Sequence, residues 1–275
     1  MSTAIAIYHG PFGRASLYQL DRPLTKHAHR EGHLTFHVQG PPSFIRVCGK
    51  RCDIDPGAGC AVNPWELHDF NPSDREGGHL LLVLYIKPMW FLDFCRSPGA
   101  ALRFGTARIE VDRAVSRLIT KLVALLLEGS TSDLFDGVLY ELAEECFVQS
   151  QRFTNGVELA AIRGTFNDGR VRRSIALMTE HLGEAVELDA IARESGLSRP
   201  HFFKLFRKQT GLTPNLFLNT LRMEKAIESL TETDRSLSDI GFDLGFSSQS
   251  SFSRFFASNV GMAPTVYRRV AHRLT

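Results

Sequence analysis

The feature that most constrains this chain is an internal repeat in its C-terminal third. Leu188, Ile191, Gly196, Leu197 and Ser198 recur as Leu237, Ile240, Gly245, Phe246 and Ser247, at an offset of 49 residues. Beyond that point the offset becomes 50, and Phe202, Lys204, Phe206, Gly211 and Pro214 recur as Phe252, Arg254, Phe256, Gly261 and Pro264. A repeat of this length is one supersecondary unit used twice.

Each copy reads as helix, tight turn, helix. In the first, Leu188, Ile191 and Ala192 line one face of a short helix, and Gly196 supplies the left-handed residue that a sharp turn needs. Ser198 then serves as N-cap, with Pro200 in the first turn, where a missing N–H costs nothing. Phe202, Leu205 and Phe206 form the core face, and Gly211 stops the helix. The second copy uses Ser248 as cap, Phe252, Phe255 and Phe256 as core face, and Gly261 as stop. This is the pattern of a helix-turn-helix, whose second helix enters the major groove by its N-terminal half.

The opposite faces carry residues suited to DNA. Copy one offers Arg199, Pro200, Phe203, Lys204 and Arg207; copy two offers Gln249, Ser250, Ser253 and Arg254. Arg pairs with guanine O6 and N7, Gln with adenine, and Phe meets a thymine methyl. Between the copies, Leu216, Thr220, Met223, Ile227 and Leu230 mark a helix from Pro214 to Thr231. Its length of about 27 Å suits a spacer holding two reading helices about one duplex turn apart. The charge follows the same division. From Arg170 onward 15 Lys and Arg face 11 Asp and Glu, whereas the first 169 residues hold 17 against 19. An anionic partner for the C-terminal part is implied.

Residues 1–90 read as β. Short apolar segments alternate with turn signals such as Gly40-Pro41-Pro42, Asp55-Pro56-Gly57 and Asn71-Pro72. Phe44–Cys48 and Arg51–Ile54 form one hairpin around Gly49-Lys50, and His79–Ile86 is a strand buried on both faces. Period-2 alternation over Thr25–His37 puts His27, His29, Glu31, His33 and His37 on one face, with Leu34, Phe36 and Val38 on the other. After Pro88 the spacing turns helical. Residues 112–127 and 133–148 predict an antiparallel helix pair, the first preceded by Asp112 and the second capped by Ser132 or Asp133. The stretch 154–170 reads as a linker, with a short helix over Val157–Ile162. No run approaches 18 apolar residues, so no membrane span is predicted. Five scattered cysteines and no leader-like N-terminus predict a cytoplasmic protein with reduced thiols, Cys48 and Cys52 lying near one hairpin turn.

Residues 170–275 resemble the DNA-binding domain of the AraC/XylS family of bacterial transcription regulators. The resemblance rests on Ile240-Gly-Phe-Asp-Leu-Gly-Phe-Ser-Ser-Gln-Ser-Ser-Phe-Ser-Arg-Phe-Phe256, followed by Gly261, Pro264, Tyr267 and Arg268. It implies seven helices with two helix-turn-helix units and a connecting helix. Pro200 and Phe203 depart from it, standing where relatives often carry larger polar readers. His27-Ala-His29, Gly40, Ile54-Asp-Pro-Gly57 and Val62-Asn-Pro-Trp-Glu-Leu-His68 resemble the cupin-type sensor barrel of many such regulators.

The expected chain is therefore α+β and multidomain. It comprises a cupin or jelly-roll β-barrel over 1–95, a helical dimerisation segment over 96–153, a linker over 154–169 and an all-α double helix-turn-helix over 170–275. The resemblance implies double-stranded DNA, a small-molecule effector and a second copy of the chain as partners, with RNA polymerase beyond them. His27, His29 and His68, with Phe36, Trp65 and Tyr85 as an apolar wall, are the expected effector site. Metal-binding cupins use a His-x-His pair, a Glu and a later His. A metal on His27, His29, His33 or Glu31, and His68 is thus the second-ranked occupant, and no cofactor is expected. An enzyme is not expected either; the alternative is a metal-dependent cupin enzyme tethered to DNA by its C-terminal domain.

Overall fold

The computed structural model describes residues 2–73, 78–94, 102–129, 133–152, 168–183 and 187–273. The chain divides into two compact units, one of Met1–Glu158 with Val260–Thr275 and one of Leu159–Asn259. The linker with its short helix, Ser132 and Cys95 lie outside the described residues.

The first unit holds two sheets. Strands β1 (Thr3–Gly10), β2 (Gly13–Leu20), β4 (Gly32–Gln39), β7 (Ala58–Val62), β9 (His79–Ile86), β10 (Arg108–Glu110) and β11 (Ala271–Arg273) form a seven-stranded sheet in the order β10-β7-β4-β9-β2-β1-β11. Strands β3 (Leu24–His27), β5 (Ser43–Val47), β6 (Lys50–Ile54) and β8 (His68–Pro72) form a four-stranded sheet in the order β3-β8-β5-β6. Strand β11 pairs in parallel with β1, Ile7 opposite Ala271 and His9 opposite Arg273. It follows α10 (Pro264–Val270), whose Tyr267 is fully buried in this unit.

One face of the large sheet is apolar and covered by helices. Ala15 and Leu17 of β2, Leu34 and Phe36 of β4, and Leu82, Leu84 and Ile86 of β9 share a core with Trp90 and Phe91 of α1 (Pro88–Phe94). Helices α2 (Arg113–Glu128) and α3 (Asp133–Arg152) add Val115, Leu122, Leu139, Leu142 and Cys146 to that core. Asp112 caps α2, its carboxylate accepting from the Ala114 and Val115 N–H groups, and Gly129 ends the helix in the left-handed conformation. The apolar faces of the helix pair are thus consumed inside the protomer. Leu122 of α2 and Leu142 of α3 are both fully buried there.

Three local expectations are corrected. The stretch 25–37 is not one strand. It breaks after His27 into β3 and β4, which belong to different sheets, because the chain must pass between them. The hairpin turn is Cys48-Gly49, not Gly49-Lys50: both residues take positive φ, 50° and 85°, as a two-residue hairpin turn requires. The thiol beside Cys52 is Cys60 of β7, not Cys48, which stands exposed in the turn.

The second unit is helical: α4 (Gly169–Glu180), α5 (Leu188–Glu194), α6 (Arg199–Thr210), α7 (Pro214–Glu232), α8 (Leu237–Asp243) and α9 (Gln249–Val260). The two turns are built alike. Gly196 and Gly245 take φ of 70° and 78°, and the next N–H in each copy reaches back to a carbonyl five residues earlier, Leu197 to Ala192 and Phe246 to Gly241. Phe202 and Phe206 in copy one, and Phe252 and Phe256 in copy two, are fully buried. Gly241 lets α8 approach α9, since a Cβ there would lie 3.0 Å from the Phe252 Cβ. The caps differ. The Ser248 hydroxyl accepts from Ser251 N–H, whereas Ser198 has cap geometry without a side-chain hydrogen bond.

Candidate functional site

Two sites follow from this frame, one on each unit. In the helical unit, burial of the phenylalanines turns the predicted readers outward. Arg199, Pro200, Lys204, Arg207, Gln249, Ser250 and Arg254 are exposed, and Phe203 and Ser253 are half-buried. Arg199 and Gln249 are each tied to the preceding helix of their own copy. Arg199 pairs with Asp189 at 2.6 Å, and the Ser238 hydroxyl donates to Gln249 Oε1 at 2.8 Å. Asp189 and Ser238 occupy the same place in the repeat, so each copy orients the first residue of its second helix by the same contact. Lys204, Arg207 and Arg254 make no ion pair among the described residues. Phe203, Lys204, Arg207, Lys208 and Thr213 line an open concavity of about 480 Å³. Lys208 escaped the sequence reading because it sits in the last turn of α6, where a basic residue also suits the helix dipole.

The second site lies on the face of the large sheet opposite the helices. There Arg14, Tyr85 and His33 form one row across β2, β9 and β4, Arg14 and His33 each being registered with Tyr85. The Arg14 guanidinium lies 3.7 Å from the centre of the Tyr85 ring, and its Nη1 donates to the Tyr267 hydroxyl at 2.9 Å. From the small sheet, His27 of β3 and His68 of β8 are direct cross-strand partners. His29 enters from the connection between β3 and β4.

Four imidazoles therefore meet. Ring centres lie 4.3 Å apart for His27 and His68, 4.6 Å for His33 and His68, 4.9 Å for His29 and His68, and 5.0 Å for His29 and His33. Burial lowers all four pKa values, that of His33 to about 3, and repulsion from neighbouring histidines reinforces the effect on His29, His33 and His68. At neutral pH the rings are uncharged.

Of the residues expected to form this site, His27, His29, His33, His68 and Tyr85 come together. Phe36 does not. It is on the helix-covered face of β4, its ring against Gly59, because alternation puts it opposite His33 and Thr35. Trp65 takes a positive φ of 63° and sets its indole 5.8 Å from the Arg30 guanidinium, away from the apolar-wall role predicted for it. Arg14 is the residue the sequence reading missed. Alternation of Arg14, Ser16 and Tyr18 along β2 was the available signal, but no local feature marks an arginine as buried.

A reading pair of helices on one unit and a polar-lined β-sandwich interior on the other define a DNA-binding transcription regulator with a ligand-binding domain. The helix-turn-helix domain family matches residues 191–270 and the AraC-like ligand binding domain family matches residues 14–143. The chain belongs to the AraC family of transcription regulators. It is 32% identical over 268 residues to the HTH-type transcriptional activator RhaS of Salmonella schwarzengrund, covering 94% of each chain. It is 25% identical over 256 residues to the probable transcriptional regulator LumQ of Photobacterium leiognathi, covering 90% of this chain and 94% of that one. The fold is shared with ToxT of Vibrio cholerae, solved with an unsaturated fatty acid bound, at a TM-score of 0.59 and 14% identity over 98% and 95% of the two chains. Among the described residues no helix is long and apolar enough to cross a membrane.

Proposed function

We propose that this regulator reads two successive major grooves with α6 and α9 and that a ligand within the N-terminal sandwich controls how it does so. The observation that carries the DNA reading is the pairing of Lys204 with Arg254. Both are exposed at equivalent points of the repeat, directly opposite buried phenylalanines and without an ion-pair partner among the described residues. Arg254 reads a base edge; Lys204, Arg207 and Lys208 bind mainly phosphate around the α6 concavity. Arg254→Ala should then cost about 1–3 kcal/mol on specific duplex while sparing random duplex. Fluorescence anisotropy on both duplexes decides the matter. Equal losses would make Arg254 a phosphate contact, and no loss on either would remove it from the interface.

The ligand reading is supported by polar atoms inside the sandwich that lack a hydrogen-bond partner among the described residues, including Arg14 Nε, Tyr18 OH, His29 Nε2 and His68 Nε2. A polar effector satisfies such groups, and its binding shifts the population of DNA-competent states. RNA polymerase is the downstream contact of such a regulator.

The active form is a homodimer joined through the outer surface of α2 and α3. Leu127, Leu134 and Val148 are 58%, 50% and 43% exposed there, and they are the residues to test. Leu127→Asp with Leu134→Asp should convert a sedimenting dimer to a monomer with unchanged circular dichroism. A wild-type chain that sediments as a monomer with and without operator DNA would refute the dimer.

A further inference from the structure

The histidine cluster contains more information than a polar lining. His27, His29 and His68 each place Nδ1 2.7 Å from a backbone carbonyl oxygen, those of Thr25, Glu31 and Glu66 respectively. A carbonyl can only accept, so each Nδ1 carries the proton and donates it. Each Nε2 is then a bare lone pair.

The candidate ligand atoms of these three residues all lie within 4.8 Å of one another. The three Nε2 lone pairs thus converge on one another. Among the described residues, the buried Nε2 atoms of His29 and His68 have no hydrogen-bond partner, and neither nitrogen of His33 has one. Leaving such atoms unsatisfied is costly in a native interior.

An organic hydroxyl or ammonium could satisfy these atoms one at a time. A single centre that satisfies all three at once is a cation small enough to sit between them. Three nitrogens bound to one ion at about 2.1 Å stand about 3.4–3.6 Å from one another. Pairs at the 4.8 Å limit must then close by about 1.2–1.4 Å as the imidazoles turn toward the ion. The carbonyl bonds on Nδ1 are also the outer contacts by which proteins orient metal-bound imidazoles.

We propose that His27, His29 and His68 hold a divalent transition metal ion of the zinc, iron or nickel type, with His33 as the adjoining fourth imidazole. Neutral imidazole is the donor such borderline ions prefer, and the carbonyl bonds to Nδ1 hold each ring with Nε2 free to ligate. Arg14 is the opposing charge nearby. It is countered by Glu31, whose carboxylate lies 3.8 Å from His29 Nδ1. Three imidazoles leave coordination positions open, so the ion supplies a point of attachment inside the ligand-binding domain.

This site shares the sandwich interior with the effector reading but does not depend on it or on DNA recognition. The test uses the full chain, purified without a polyhistidine tag from cells grown with added zinc, iron, nickel, cobalt and manganese. Mass spectrometry should find about one equivalent of metal per chain, falling at least tenfold in the His29→Ala/His68→Ala variant. Because that variant can fail to fold, the wild-type chain is also stripped with a chelator and titrated with Co(II). Ligand-field bands should appear with an endpoint at one equivalent, and the milder His27→Ala should weaken them at least tenfold. Less than about a tenth of an equivalent in the purified chain together with no cobalt bands would overturn the proposal. So would metal retained undiminished in a folded double variant. Operator binding measured on the same samples tests the regulator reading separately, since metal content and DNA affinity are independent readouts.

Discussion

Phe206→Ala should remove about 3–5 kcal/mol from the stability of the helical unit. Phe206 is fully buried on α6, its ring 5.6 Å from that of Phe202 and 5.4 Å from that of Phe217 on α7, both edge-on. Truncation loses the transfer energy of the ring, leaves a cavity and breaks two aromatic pairs worth about 0.5–1.5 kcal/mol each. Domains of this size are stable by only about 5–15 kcal/mol, so much of the margin goes. The two tryptophans of the chain, Trp65 and Trp90, both belong to the N-terminal unit. Far-ultraviolet circular dichroism in urea should therefore show an early helical transition that tryptophan fluorescence does not report. Phe203→Ala is the control: half-buried beside the reading face, it should change stability by less than about 1 kcal/mol. A loss at Phe206 no larger than at Phe203 would mean that the repeated phenylalanines are not the core of the fold.

The N-terminal unit should be unusually sensitive to mild acid. Burial lowers the pKa of His27, His29, His33 and His68, so each ring is neutral when folded and takes up a proton on unfolding below pH 6.5. The unfolded chain then binds more protons, and stability rises with pH. The contribution is complete above about pH 6.5 and is lost as pH falls toward the folded values, which for His33 is about 3. An imidazole that stays neutral in the folded chain, as His33 does between pH 6.5 and 5, contributes a slope approaching about 1.4 kcal/mol per pH unit below pH 6.5, and the other three act in the same direction. The urea midpoint followed by tryptophan fluorescence, with chelator present throughout, should drop sharply over that interval. A midpoint unchanged from pH 7 to 5, or histidine ring protons titrating near 6.5 in the folded chain, would contradict the burial of this cluster.

What was legible in the sequence is what local chemistry decides. Gly196, Gly211, Gly245 and Gly261 all take positive φ where the repeat placed its stops, and the phenylalanine spacing identified the buried face of both second helices. Helix α2 began where Asp112 indicated, and β9 spans the predicted His79–Ile86. The histidine site was legible only in part. Its members were named, but alternation along one strand was the wrong reason, since His27 and His33 belong to different sheets. Gly32 begins β4 in a space where a Cβ would lie 3.0 Å from Leu102 and 3.3 Å from Pro64, and no strand pattern announces that. Arg14 and Phe36 were misjudged because inside and outside of a two-sheet structure depend on which face receives helices, a tertiary fact. The Ala271–Arg273 strand has no strand signal of its own and exists through its pairing with β1.

That last pairing has a consequence for biosynthesis. During translation β1 and its partner β2 are made one after the other, but the other edge of β1 must wait for residues 271–273. The ribosome has by then released every helix of the second unit. Until it does, β1 presents an unpaired edge of the kind that invites strand addition from another nascent chain. A chain cut after α9 would keep that edge open, so residues 271–273 act as a chaperone-like cover for β1.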